Sequence, residues 1–112
     1  MPPSLEDRLH HVMEAITAVE QLLKFKTIQD YEKDPVLQAA VERFLERICE
    51  ASRYIPDDIR SADIPWRRMV DFGNLLRHAY HSIDPRAVWE IATADIPALR
   101  AFVEQLIRQA RP

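Results

Sequence analysis

Apolar residues recur at steps of three and four along nearly the whole chain, and nowhere do they alternate with polar ones. That period belongs to one face of an α-helix and not to a strand. Leu5, Leu9, Val12, Met13, Ile16, Val19 and Leu23 form the first stripe. It predicts a helix from about Leu5 to Phe25, with Ser4 as N-cap and Asp7 completing a capping box. The stretch Thr27–Lys33 is too short for more than a turn or two. Asp34-Pro35 then opens a second long helix, with aspartate as cap and proline at the first helical position. Val36, Leu37, Ala40, Val41, Phe44, Leu45, Ile48 and Cys49 are its expected buried stripe. Pro56-Asp57-Asp58 ends it, and Asp63-Ile64-Pro65-Trp66 starts the next. Ser82-Ile83-Asp84-Pro85 repeats the Asp-Pro signal before a last stripe running from Val88 to Ile107. Pro97 falls inside that stripe and predicts a kink, or a restart capped by Asp95. One glycine against eight prolines also suits punctuated helices better than a turn-rich sheet. The expected fold is all-α, an up-down bundle of four or five helices with short connections.

At 112 residues and 47% hydrophobic content, the chain is expected to form one domain, 1–112, with a modest core. A single cysteine, Cys49, rules out an internal disulfide, suits a reducing compartment and reads as a small core residue. No apolar run approaches the roughly 20 residues of a membrane span. The opening residues lack the basic and apolar regions of a signal peptide. The expectation is therefore a cytoplasmic protein with no membrane partner. A net charge of −3 leaves no global basic field for nucleic acid. Any such contact has to be local, or arise where two subunits meet.

The chemistry concentrates in one run, Gly73-Asn74-Leu75-Leu76-Arg77-His78-Ala79-Tyr80, which also holds the only glycine. Glycine inside a helix costs about 1 kcal/mol relative to alanine, so its presence suggests that something approaches closely there. On a helix Asn74, Arg77, His78 and His81 share one broad face. Tyr80 points nearly the other way unless the helix loosens before Asp84-Pro85. An imidazole beside a guanidinium and an amide can serve phosphodiester chemistry. Histidine titrates near neutrality and can take a proton from a ribose 2′-hydroxyl or give one to a leaving oxygen. Arginine can hold the phosphate through two N–H donors. No metal or cofactor is required. The competing reading is a solvated helix end whose cations suit the helix dipole.

Other candidates carry less. His78 and His81 have a metal-ligand spacing but no obvious third ligand. His10 and His11 point about 100° apart on a helix and read as surface residues. Glu46 and Glu50 lie on the same helical side as Arg43 and Arg53, as a solvated ion-pair ladder or as the lining of a cleft that orients the histidine. Trp66 and Trp89, at helix starts, read as core anchors.

Taken together, Val41–Ala51, Ile64-Pro65-Trp66-Arg67, Asn74, His78-Ala79-Tyr80, Ile83-Asp84, Val88-Trp89 and Asp95–Arg100 resemble the HepT-like family of the HEPN superfamily. The resemblance runs from about Arg8 to Leu106. It implies an all-helical, homodimeric toxin of a toxin–antitoxin pair, which cleaves RNA without metal at a cleft where two subunits meet. It implies a partner too, a minimal nucleotidyltransferase antitoxin that transfers AMP to a tyrosine beside the catalytic histidine. The family motif R-N-x-x-x-H-x-Y places its asparagine on Asn74, its histidine on His78 and its modified tyrosine on Tyr80. Its arginine falls on Gly73 and does not carry over. Because helical side chains lean toward the N-terminus, Arg77 is expected to lie across the space left by Gly73 and to replace the missing arginine. Gly73, Glu46, Glu50 and His81 are then candidate cleft-lining residues. Two copies of Arg77, His78 and Arg68 would supply a local basic cleft in an acidic protein. If Arg77 does not serve, the alternative is a non-catalytic module that binds the nucleotidyltransferase or a nucleotide.

Overall fold

The computed structural model describes residues 4–78 and 83–110. Its elements are α1 (Leu5–Leu23), α2 (Ile28–Glu32), α3 (Pro35–Ser52), a 3-10 turn (Asp57–Ile59), α4 (Trp66–His78), α5 (Pro85–Glu90), a π-helical segment (Ile91–Asp95) and α6 (Ile96–Ala110). No strand occurs among the described residues. The last three elements keep helical backbone angles across their junctions and form one continuous rod, so the architecture is five helices. No helix among the described residues is long and apolar enough to cross a membrane.

The caps follow the sequence signals. Asp7 N–H donates to Ser4 Oγ at 3.1 Å, and Ser4 N–H donates to Asp7 Oδ2 at 3.3 Å. Thr27 and Asp30 form a second reciprocal cap that starts α2. Asp34 accepts from Leu37 N–H at 3.0 Å, and Asp84 accepts from Arg86 N–H at 3.0 Å. Each cap satisfies amides that the first helical turn leaves without partners.

Three expectations need correction. Helix α1 stops at Leu23 and not at Phe25, because Phe25 adopts φ 63° and Lys26 N–H turns back to the Leu23 carbonyl at 2.9 Å. Val36 is 79% exposed; it sits well off the stripe set by Leu37, Val41, Leu45 and Ile48. Of the two alternatives at Pro97, the restart capped by Asp95 does not occur. A wide turn precedes the proline instead, with Ile96 N–H reaching the Ile91 carbonyl. One extra residue per turn accommodates a ring that would otherwise collide with the carbonyl four residues back.

Helices α1 and α3 form the main pair, with α4 against α3 and α6 against α1. Ile16, Val41, Leu45, Ile48, Met69, Val88, Leu99 and Val103 are fully buried in one core. Trp66 is buried edge-on against Phe102 at 5.3 Å and donates its Nε1–H to the Ser61 carbonyl. Trp89 lies half-buried, tilted against Tyr31 at 5.8 Å.

Candidate functional site

The last turns of α4 carry the polar run. A regular helix sorts them by side. Met69, Phe72 and Gly73 face the core, while Arg67, Asp71, Leu75 and His78 are exposed, with Asn74 half-buried at the edge. Leu75 is 52% exposed. Arg77 turns the other way, across α3. It donates to Glu50 Oε2, which also accepts from Arg53 Nη1 at 3.4 Å.

Arg77 thereby enters a cleft of about 420 Å³ between α1 and α3. Glu46, Arg47 and Glu50 form its α3 wall, and Arg8, His11 and Glu14 form its α1 wall. Glu46 is paired with Arg43 at 3.2 Å. Both glutamates therefore line the cleft and act as ion-pair partners. Glu50 reaches Arg77 and not the histidine. Periodicity could have exposed the α1 wall: Arg8, His11 and Glu14 are three residues apart and share a face. His11 is the member that reading it as a surface residue passed over.

Gly73 does not line the cleft. A Cβ placed there would lie 2.6 Å from Cys49 Cβ. The glycine exists because α3 and α4 cross closely at this point. The anticipated empty space over which Arg77 would lie is occupied by Cys49. Burial pushes the Cys49 thiol up to about 12, so it is a packing group and not a nucleophile. Arg68 is also placed elsewhere than expected. It faces Glu90 at 3.5 Å and Asp95 at 3.7 Å, beside a second groove between α4 and α5. Tyr80 and His81 lie outside the described residues. Among the described residues, no group of three His, Cys, Asp or Glu side chains is placed to hold a metal.

This arrangement of helices and polar residues can be compared with known proteins. A model of the family described as Ribonuclease HepT-like matches residues 12–106. The chain belongs to this HepT-like family. A Thermococcus cleftensis protein named "Probable ribonuclease HepT" is 38% identical over 108 residues, covering 95% of this chain and 98% of that protein. A Methanocaldococcus jannaschii protein named as a candidate RNase is 35% identical over 98 residues, covering 86% of this chain and 90% of that protein. A Caldanaerobacter subterraneus protein, also named as a candidate RNase, is 29% identical over 105 residues, covering 92% and 94%. No solved structure gives a significant match. The matched residues include all of α4, with Asn74 and His78.

Proposed function

We propose that this chain is a cytoplasmic, metal-independent endoribonuclease toxin. The carrying observation is the end of α4: Asn74 and His78 sit on its exposed side with the apolar Leu75, while Arg77 turns into the adjoining cleft. A second copy meeting this side would bury Leu75 and bring two histidines to one site, which suits a homodimer with its cleft at the interface. In that site His78 takes the proton from a ribose 2′-hydroxyl as the oxygen attacks the neighbouring phosphorus. The 5′-oxygen leaves with a proton from an imidazolium, giving a cyclic phosphate and a free hydroxyl. Arg77 holds the phosphate oxygens, and Asn74 orients the nucleophile. The partner is a nucleotidyltransferase antitoxin that adds AMP to Tyr80 and so blocks the site. The names of the relatives support the ribonuclease part of this reading.

A second reading is favoured by a specific contact. With 2.6 Å between a Cβ at position 73 and Cys49 Cβ, this crossing would take an arginine only if α3 and α4 moved apart. If Arg77 does not substitute for it, the chain binds its nucleotidyltransferase partner or a nucleotide without cutting RNA. The deciding experiment is RNA cleavage in excess chelator by protein shown by mass to carry no AMP, beside His78→Ala. Cleavage that survives chelator and disappears in the variant establishes the nuclease. Absence of cleavage by the unmodified protein makes the binding module the better account.

A further inference from the structure

The turn after α1 combines three features that packing does not require. Phe25 is 92% exposed. It is also the one non-glycine residue with positive φ among the described residues. Lys24 at φ −58°, ψ 127°, Phe25 at φ 63° and the bond from Lys26 N–H to the Leu23 carbonyl define a type II turn with phenylalanine at its third position. Glycine belongs there, because an L side chain in the left-handed region carries strain. Strain retained at a residue that contributes nothing to the core is a pointer to use.

The surrounding charge gives the use a direction. Lys24, Lys26 and Lys33 are the only lysines in the chain. None of them forms an ion pair among the described residues. The acids nearby are already engaged: Glu20 with Arg100, Glu32 with Arg86, Asp30 and Asp34 as helix caps. Lys24 and Lys26 thus flank the projecting ring in the chain, and Lys33 closes the short helix that follows. Lys24 Nζ lies 5.3 Å from the ring centroid and leaves most of the ring open to solvent.

We propose that this turn is a binding site for single-stranded RNA, in which an unpaired base stacks on Phe25 and the lysines take the flanking phosphates. Aromatic rings beside backbone-binding cations are how proteins hold single strands without reading sequence. Insertion into a bilayer scales with apolar area, and a single ring offers little. The position suits a strand that continues to the cleft. Ala15 on α1 lines the cleft, and the turn begins eight residues further along that helix, about 12 Å away at 1.5 Å per residue. The proposal rests on the ribonuclease reading for its ligand, since it extends the same RNA beyond the site of cleavage.

The test measures binding of a fluorescent, unstructured 2′-O-methyl RNA in chelator. This RNA lacks the free 2′-hydroxyl and stays intact. Phe25→Gly keeps the turn and relieves its strain, so the variant folds at least as well as the parent. It should bind at least about fivefold more weakly, and Phe25→Trp as tightly or more so. Replacing Lys24 and Lys26 together by glutamine should lower the slope of log affinity against log salt by about 1.4. Equal affinity of Phe25→Gly and wild type overturns the proposal. So does Phe25-dependent binding to phosphatidylserine vesicles without binding to RNA. Cleavage of ordinary RNA by the wild type is scored separately. Cleavage with Phe25-independent binding defeats this inference alone. Phe25-dependent binding without cleavage defeats the nuclease reading alone, and absence of RNA binding defeats both.

Discussion

Adding one methyl group at Gly73 tests the account of why the chain spends its only glycine in a helix. The new Cβ would sit 2.6 Å from Cys49 Cβ, whereas carbons in contact prefer roughly 3.5–4.0 Å. Both atoms are fixed to helical backbone, so no rotamer change relieves the overlap. Helices α3 and α4 must separate by about 1 Å at their crossing, loosening the buried contacts of Ile48, Met69 and Phe72. Overpacking of this kind costs about 1–3 kcal/mol, and the absence of an escape puts it in the upper part of that range. Exchanging glycine for alanine inside a helix returns about 1 kcal/mol. The net expectation for Gly73→Ala is a loss of about 1–2 kcal/mol in urea unfolding, seen as a Tm lower by roughly 5–10 °C. Removing the opposing carbon should relieve the clash, so the Gly73→Ala penalty should shrink by about 1 kcal/mol or more in a Cys49→Gly background. Gly73→Arg adds a charged chain at the same crossing and should be worse than alanine, not a restoration of the motif. A Gly73→Ala protein as stable as wild type, or equal penalties in both backgrounds, would refute the close-crossing argument.

Three further outcomes follow from the same geometry. Glu50→Gln keeps the shape of the cleft but frees Arg77 from a carboxylate, and should tighten binding of uncleavable RNA by at most about fivefold. A native-state thiol titration should find Cys49 unreactive until the protein unfolds, since burial places its thiol far above neutral pH. The Asp30 carboxyl is held below the usual carboxylate range, first by the backbone N–H of Thr27 and then by its hydroxyl. Its contribution to stability is therefore complete above the unfolded value of about 3.9 and fades as pH falls through the lower folded value. Asp30→Asn should flatten the stability profile in that acidic window and leave its shape at neutral pH unchanged.

The helices were legible because their signals are local. Ser4, Asp34 and Asp84 each cap the helix that follows, and Leu37 through Cys49 face inward as their spacing requires. What failed depended on backbone detail or on a distant partner. Nothing in Phe25 announces a left-handed residue, since glycine or asparagine is the usual marker. Pro97 announces a disturbance, but the residue types do not say whether it is a break or the wide turn that Ile96 N–H closes on the Ile91 carbonyl. Gly73 signals a close approach, but that Cys49 makes it, and not Arg77, is a tertiary fact. Likewise Arg68 and Arg77 both look like cations of one helix. Nine residues apart, they point to opposite sides, one to Glu90 and the other to Glu50.

Whether Arg77 can act for the missing motif arginine turns on the strength of its hold on Glu50. Both side chains are partly exposed, at 35% and 42%. Exposed ion pairs contribute only about 0.2–1 kcal/mol, because water screens them and two long side chains must be ordered. Glu50 is also shared with Arg53, so its release leaves the carboxylate with a cation. A phosphodiester offers Arg77 two acceptor oxygens in a geometry that a guanidinium matches bidentately. The exchange replaces one charge-assisted contact by another at least as good, with little net cost. On the proposed ribonuclease reading, Glu50 is therefore a placeholder that keeps Arg77 turned into the cleft, not a lock upon it. On the same reading Arg77 needs no opening at Gly73: it reaches the cleft along α3, without passing through the helix crossing that Cys49 fills.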